Sequence, residues 1–311
     1  MSALNALLNG LIDYAGLFPP AALDMPAAVR HYADCRQGPH APMLGPFVVP
    51  ITRLGEFDRA FTSLTRDQKG PPTWRLSALA GEEADADIAA AIRHETPGDQ
   101  FASARIDSIE IKVASGEDVA RASGLVPHGM MVACEIHPGL GRAERRSVLA
   151  AVRSTARMAK LRTGGITSSA IPSTDQVAEF IWDCARARVP FKATAGLHHP
   201  VRGEHRLTYA IGSPSAVMHG FLNVFVAAAV AWSMAAEGET ARSADVPRHV
   251  LAIIEERDAE CFTLGADWIR WRGMDVPLGA IERSRADFAR SFGSCSFDEP
   301  VSDLNALGWL R

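Results

Sequence analysis

Two lysines occupy positions that a buried strand would normally fill with apolar side chains. Lys160 lies in the segment RMAKLRTGG (157–165), and Lys192 lies in PFKATAGLHHP (190–200). Each segment is short, consists mainly of small or apolar residues and runs into glycine, which predicts two strands followed by turns. An ammonium held among other cations loses its proton more easily, and the free amine can attack a carbonyl carbon to form a Schiff base. If the lysines instead stay charged, they would hold an anionic substrate or stabilise an enolate.

Other charged and polar side chains occur near the ends of further predicted strands. Glu110 and Lys112 share one face of the segment 108–114, and Glu135 lies near the end of the segment 130–139. Alternate side chains of a strand point to opposite faces, and a parallel barrel carries its active site at the C-terminal ends of its strands, so we predict one shared pocket. The predicted catalytic residues are Lys160, Lys192 and Glu135, and the predicted substrate-binding residues are Glu110, Lys112, Arg162, Thr194, His198, Arg270 and Arg272.

The elements that would position these residues alternate along the chain between short apolar runs and amphipathic stretches. This alternation of strand-like and helix-like segments over 311 residues predicts a single domain, residues 1–311, folded as an α/β (β/α)₈ TIM barrel. The helix-like segments 213–233 and 246–261 predict an extra helix between strands seven and eight. Strand eight is predicted at 265–273, and 291–300 as a C-terminal tail. A doubly wound open sheet is the alternative, but no predicted strand is followed by a GxGxxG turn or a P-loop.

Composition excludes several classes of protein and partner. A net charge of −4 and a pI near 6.2 argue against a nucleic-acid or anionic-membrane partner. The five cysteines contain no CxxC pair, which argues against a zinc ribbon or disulfide framework and favours a reducing compartment. The longest apolar run, 221–236, is shorter than the ~20 residues of a membrane span and contains Asn223. We therefore predict a cytoplasmic protein with a small-molecule partner, and a homo-oligomer is compatible with the sequence.

Three short motifs between residues 130 and 197 resemble the deoxyribose-phosphate aldolases and related class I aldolases. They are VACE at the end of predicted strand five, AKLRTGG on strand six and FKATAGL on strand seven. The resemblance implies a (β/α)₈ barrel that makes or cleaves carbon–carbon bonds through a lysine imine. It further implies that Lys160 forms the imine, that Lys192 perturbs it and that Glu135 is a nearby polar partner.

The sequence also departs from that family at two places. The family's acidic residue on strand four has no clean match in IEIKVAS (109–115). The glycine-rich turns that bind phosphate in the family are replaced by LHHPVRGEHR (197–206) and IRWRG (269–273). The expected substrate is therefore a small carbonyl or carboxylate compound of the sugar-acid type rather than a phosphorylated sugar.

Two other hypotheses use the same residues differently. Histidines near the strand ends, together with Glu135 or Asp13, could bind a divalent metal in a metal-dependent lyase or isomerase. These histidines are His137, His198, His199 and His219. They show no HxH or HxxxH spacing, so we predict neither a metal nor another cofactor. The third hypothesis is a non-catalytic organic-acid-binding protein. Cys295 has no sequence-adjacent histidine and is not predicted to be a nucleophile.

Overall fold

The structure of the protein, a computed structural model, is dominated by one closed sheet. It describes residues 2–65, 73–94, 103–127, 129–155, 157–236 and 243–310. The strands are β1 (Ile12–Tyr14), β2 (Leu44–Pro50), β3 (Thr73–Leu79), β4 (Ser103–Val113), β5 (Met131–Ile136), β6 (Met158–Arg162), β7 (Phe191–Thr194), β8 (Gly203–Arg206), β9 (Ser215–Met218), β10 (Phe262–Leu264), β11 (Trp268–Trp271), β12 (Met274–Pro277) and β13 (Ala289–Ser294). Eight of them form a closed barrel of parallel strands in the order β1-β13-β7-β6-β5-β4-β3-β2. The predicted TIM-barrel fold is confirmed.

Helices surround the barrel and cover its outer face. Within the described residues they are α1 (Ala3–Leu8), α2 (Met25–Gln37), α3 (Leu54–Thr65), α4 (Ala84–Arg93), α5 (Gly116–Leu125), α6 (Arg142–Ser154), α7 (Thr174–Ala187), α8 (Phe221–Met234), α9 (Arg248–Glu255), α10 (Leu278–Asp287) and α11 (Asp298–Ala306). Side-chain oxygens of Asp24, Ser115 and Ser173 accept hydrogen bonds from free backbone N–H groups at the starts of α2, α5 and α7. Each helix in the described ranges is too short or too polar to cross a membrane.

Between β7 and β13 the chain adds elements that the simple eightfold unit lacks. The antiparallel hairpin β8–β9 follows β7, and α8 and α9 come next. A three-stranded antiparallel sheet, β10-β11-β12, and then α10 precede β13. Residues of α8 from Phe221 to Ala231 are all buried, because this helix packs against both α7 and α10. Its uniformly apolar sequence is that of a core helix.

The predicted position of the eighth strand is wrong. The segment 265–273 contains β11, which pairs on both sides with antiparallel neighbours in the small sheet. Apolar and charged residues alternate from Ile269 to Arg272, so this segment satisfies the strand pattern without belonging to the barrel. The true eighth strand is β13, whose sequence ARSFGS gives no apolar run; the sequence instead predicts a closing helix over 278–292 and the tail over 291–300 there. Backbone pairing with both β1 and β7 places it in the barrel.

This correction removes Arg270 and Arg272 from the predicted pocket. The Nε of Arg270 lies 2.5 Å from the Oδ1 of Asp275 on the neighbouring strand. The Nε of Arg272 lies 2.5 Å from the Oε2 of Glu256. Both arginines therefore pair within or beside the small sheet, and neither lines the cavity at the barrel mouth.

Candidate active site

The two lysines lie opposite each other on neighbouring strands inside the barrel. Lys160 on β6 is in register with Lys192 on β7. Their exposed fractions are 2% and 3%, so both ammonium groups lie away from bulk solvent. Buried cations of this kind are stable only when nearby groups compensate their charge.

Carboxylates from three other strands supply that compensation. Glu110 on β4 accepts from both lysines, with its Oε2 2.7 Å from the Nζ of Lys160 and its Oε1 2.6 Å from the Nζ of Lys192. Lys160 also lies 2.6 Å from the Oε2 of Glu135 on β5. Lys192 lies 2.5 Å from the Oδ2 of Asp13 on β1. The lysines are thus not a bare pair of like charges but members of an alternating chain of cations and carboxylates.

Arg162 extends this chain toward solvent. Its Nε donates to the Oε1 of Glu135 at 3.2 Å, and its side chain is 42% exposed. We call Asp13, Lys192, Glu110, Lys160, Glu135 and Arg162 the charge chain. It contains three carboxylates and three cations, so its formal charge is zero. The chain crosses the barrel interior from a buried end at Asp13 to an exposed end at Arg162.

Ionisation along the charge chain follows from burial and pairing together. For Lys192, burial lowers the pKa, but the charges of Asp13 and Glu110 outweigh burial and hold the pKa above its usual value. For Glu110, burial raises the pKa, but Lys160 and Lys192 outweigh it and the pKa lies well below the usual range. The pKa of Lys192 is therefore raised rather than lowered by its surroundings, because two carboxylates contact its ammonium group.

Asp13 differs from the other two carboxylates in the charge chain. Burial raises its pKa above the usual value despite the neighbouring Lys192 charge. Its Oδ2 accepts from the hydroxyl of Ser291 at 2.8 Å, whereas its Oδ1 is buried and has no hydrogen-bond partner among the described residues. A Cβ at Gly45 would lie 2.4 Å from that Oδ1, so glycine leaves the space that the carboxyl group needs. Asp13 is the carboxyl of the charge chain that is most easily protonated.

A cavity of about 340 Å³ opens onto the charge chain at the C-terminal ends of the strands. Its polar and charged lining includes Glu110, Lys160, Arg162, Thr194, His198, His199, Arg206, Tyr209, Cys295 and Glu299. Apolar walls come from the loop after β1, with Phe18, Pro19 and Pro20, and from Val48 and Leu79. The hairpin β8–β9 contributes Leu207 and Met218 on another side. This size and mixture of apolar and convergent polar groups suit a small organic molecule.

Some of the predicted site residues line this cavity, and others do not. Glu110, Lys160, Arg162, Thr194 and His198 line it. Lys192 and Glu135 belong to the charge chain but are not lining residues. Lys112 is exposed at the end of β4 and does not line the cavity either. Of the two barrel lysines, Lys160 is therefore the one that a cavity ligand can reach.

Three lining groups that the sequence did not single out for the pocket lie beside His198. The Nδ1 of His198 is 2.8 Å from the Oε2 of Glu299 on α11, and its Nε2 is 3.9 Å from the Sγ of Cys295. The hydroxyl of Tyr209 donates to the same Oε2 at 2.8 Å. The missed signal is the segment SFGSCSFDEP (291–300), predicted as a tail, which contains the end of β13 and the start of α11.

The other histidines of the metal hypothesis do not converge on Glu135. His137 is exposed, and its Nδ1 accepts from the N–H of Gly139 at 3.1 Å. His199 pairs with Asp303 at 2.6 Å, and the Nε2 of His219 lies 2.8 Å from the carbonyl of Pro172. Among the described residues, one group has three candidate ligand atoms within 4.8 Å of one another, and it lies apart from the cavity lining: His31, Cys35 and Asp298.

The loops after β6 and β7 approach each other closely at two glycines. Gly196 has φ +76°, and a Cβ built on it would lie 2.8 Å from the Cα of Gly164. The hydroxyl of Thr163 donates to the carbonyl of Ala195 at 2.5 Å and joins the same two loops. These contacts hold the ends of the two lysine-bearing strands together at the cavity.

Replacing Gly196 by alanine is expected to lower the free energy of unfolding by about 2–4 kcal/mol. The energetic cost of a left-handed backbone at alanine adds to the cost of the clash with Gly164. Urea denaturation monitored by circular dichroism measures this change. Gly212→Ala is the matched control, since Gly212 has φ +77° but no atom within 4 Å of the added Cβ. Its expected cost is about 1–2 kcal/mol. Equal losses in the two variants would contradict the close approach of the loops.

A comparison of the sequence with protein-family models and with curated proteins finds no match.

Proposed function

We propose that this protein is a lyase of the class I aldolase type in which Lys160 forms an imine with a small carbonyl compound. The observation that carries the proposal is the position of Lys160, which is the cavity-lining amine of a buried chain of alternating ammonium and carboxylate groups. The TIM-barrel fold agrees with it, because such barrels bind substrates at the C-terminal ends of their strands.

The use of lysine at these positions is itself informative. Of the 32 basic side chains in the protein only four are lysines, namely Lys69, Lys112, Lys160 and Lys192. Arginine is the better partner for a purely structural buried ion pair, because its guanidinium is weakly hydrated and always charged. Lysine differs in that it can lose a proton and become a nucleophile. Two buried barrel lysines in a chain that otherwise prefers arginine therefore favour amine chemistry over structural pairing.

The neutral charge chain suits imine formation because the reaction conserves charge at the lysine. The ammonium and the carbonyl compound combine to give a protonated imine and one water molecule, so one positive charge remains at the same nitrogen. Glu110 and Glu135, which lie within 2.7 Å of the Lys160 ammonium, would stabilise the protonated imine in the same way. Neither carboxylate needs to move or change its net charge between the two states.

Glu135 is the residue best placed to move the proton during this step. It can accept a proton from the Lys160 Nζ at 2.6 Å, which frees the amine to attack the carbonyl carbon. It can then return that proton to the hydroxyl of the carbinolamine, which leaves as water. Arg162 donates to the other oxygen of Glu135 and also lines the cavity, where it can bind a carboxylate of the substrate. A small keto acid or sugar acid fits these groups.

The charge balance disfavours the other two hypotheses for these residues. Binding of an organic acid alone does not explain the two buried lysines, because Lys160 and Lys192 are each already paired with two carboxylates. A metal-dependent mechanism would need the histidines to converge on Glu135, and they pair elsewhere. Neither hypothesis explains the contact of Lys160 with the cavity as simply as an amine nucleophile does.

The test is reductive trapping on the intact protein. Pyruvate and glycolaldehyde are incubated separately with the protein, sodium borohydride is added, and the adduct is located by intact-mass measurement and peptide mapping. The expected result is one adduct on Lys160, with the exposed Lys112 as the internal measure of nonspecific reaction. Modification of Lys112 without modification of Lys160, across a panel of small carbonyl compounds, would overturn the proposal.

A further inference from the structure

A thiol, an imidazole and a carboxylate lie in sequence along the wall of the same cavity. Cys295 directly follows β13, His198 follows β7, and Glu299 lies in the first turn of α11. Because β7 and β13 are neighbours in the barrel, their C-terminal ends bring Cys295 and His198 together. All three side chains line the cavity. The mechanism proposed for Lys160 uses none of them.

The order of contacts matches what a nucleophile needs from its partners. The Nε2 of His198 faces the Sγ of Cys295 at 3.9 Å, and the opposite ring nitrogen, Nδ1, lies 2.8 Å from the Oε2 of Glu299. The carboxylate therefore holds the ring with one nitrogen directed at the thiol. A base next to the nucleophile, itself oriented by a third group, is the general arrangement that activates serine and cysteine nucleophiles.

We propose that Cys295 is a second nucleophile of this cavity, activated by His198 and oriented through Glu299, and that it captures small aldehydes. The proposal rests on the position of these side chains and does not require an imine at Lys160. Cys295 is only 6% exposed, but that exposure faces the cavity, so the thiol is open to molecules that the cavity admits and closed to larger ones.

The reaction is a balanced addition that needs no other reactant. The thiol proton passes from Cys295 to the Nε2 of His198, and the thiolate sulfur attacks the aldehyde carbon to form a carbon–sulfur bond. The electron pair of the carbonyl moves to oxygen, which takes the proton back from His198. The product is a hemithioacetal, and its decay by the reverse steps regenerates the free thiol.

The charges around His198 favour the imidazolium that this proton transfer from the thiol produces. Burial lowers the pKa of His198, but hydrogen bonds to Cys295 and Glu299 outweigh burial and raise the pKa to about 9. Burial raises the pKa of Glu299, but His198 and Tyr209 bring it below the usual value. An imidazolium between a carboxylate and a thiol stabilises the thiolate, which is the nucleophilic form of cysteine.

The test measures the alkylation of each cysteine in the folded protein by iodoacetamide at neutral pH, with the labelled peptides quantified over time. Cys261 is the reference, because it is half-buried whereas Cys35, Cys134 and Cys184 are buried. Cys295 is expected to react at least about 10-fold faster than Cys261. His198→Gln is expected to lower the rate at Cys295 by about 10-fold or more. His205→Gln is the matched control, since His205 stacks on His199 and does not contact the thiol.

Glu299→Gln provides a second variant if His198→Gln fails to fold, because Glu299 is partly exposed and the substitution removes neither the thiol nor the imidazole. Its expected effect is a roughly 3-fold to 10-fold slower alkylation of Cys295. Equal rates for Cys295 and Cys261 in the unmodified protein would overturn the nucleophile. Equal rates at Cys295 in the unmodified protein and in the His198 and Glu299 variants would overturn its activation.

The aldehyde is tested separately, with glycolaldehyde as a competitor of iodoacetamide in a Lys160→Arg variant. Arginine keeps the positive charge and cannot form an imine, so protection of Cys295 in this variant reports capture by the thiol itself. If glycolaldehyde does not protect Cys295 from iodoacetamide in this variant, the choice of aldehydes as substrates is overturned. A failure of borohydride trapping at Lys160 would contradict the proposed lyase function and leave the result at Cys295 unchanged.

Discussion

Lys160→Arg is expected to reduce the borohydride-stable adduct by more than about 100-fold, to the level of nonspecific reaction. Arginine preserves the positive charge between Glu110 and Glu135, so the buried carboxylates stay compensated. It has no amine that can lose a proton near neutral pH and attack a carbonyl. Intact-mass measurement after reduction, with pyruvate and glycolaldehyde tested separately, gives the fraction of protein modified.

Two companion variants separate the nucleophile from its surroundings. Lys192→Met is expected to reduce the adduct by about 10-fold. It removes the partner of the Glu110 Oε1, and Glu110 helps to position Lys160 through its other oxygen. Arg270→Ala is expected to leave the adduct unchanged, since this arginine pairs with Asp275 in the small sheet. An adduct of undiminished yield in Lys160→Arg would show that another amine reacts. The barrel lysines would then have a structural or electrostatic role.

Glu110→Gln is expected to lower the free energy of unfolding by about 3–5 kcal/mol. Glu110 accepts from both lysines and also from the hydroxyl of Ser77 at 2.6 Å. A glutamine of the same shape can still accept on its oxygen, but its NH₂ group would face a buried ammonium, and donor would meet donor. The charge chain would also be left with an uncompensated positive charge. Urea denaturation at neutral pH measures the loss.

The pH dependence of this loss provides an independent check. The pKa of Glu110 is lowered in the folded protein, so its stabilisation is present above the ordinary glutamate pKa of ~4.3 and disappears as the pH falls further. The difference between the unmodified protein and Glu110→Gln should therefore shrink in acid. Glu56→Gln is the surface control, because Glu56 forms an ion pair with Arg53 near the surface, and its loss should lower the free energy of unfolding far less than the loss of Glu110 does. Comparable losses in the two variants would refute the central role of Glu110.

Sequence reasoning succeeded where one local pattern was enough to define an element. The segments 157–165 and 190–200 were each predicted to contain a strand, and the strands are observed at Met158–Arg162 and Phe191–Thr194. The two lysines were placed on predicted strands six and seven, and Lys160 of β6 lies opposite Lys192 of β7. Alternation of side chains along a strand is a local property, so the common face of Lys160 and Arg162 also followed from sequence.

Features that depend on distant segments could not be predicted in the same way. Strand β13 carries mainly small and polar residues, and only its backbone pairing with β1 and β7 identifies it as part of the barrel. The partners of Lys192 come from β1 and β4, which are not its neighbours in the sheet, so no spacing in the sequence reveals them. The contact of Cys295 with His198 has the same origin, since β7 and β13 are far apart along the chain.

The pairing of β1 with β13 also determines when the site can form during translation. Ile12 lies opposite Phe292, so β1 near the start of the chain cannot complete its pairing until β13 near the end of the chain has been synthesised. Until the ribosome releases Ala289–Ser294, the strand that separates β7 from β1 is missing, and Asp13 cannot reach Lys192 in the observed arrangement. Contacts between such distant segments form slowly, and unfinished chains expose strand edges that chaperones shield. A messenger truncated shortly before this strand would therefore yield a product that has both lysines but lacks the contact of Asp13 with Lys192.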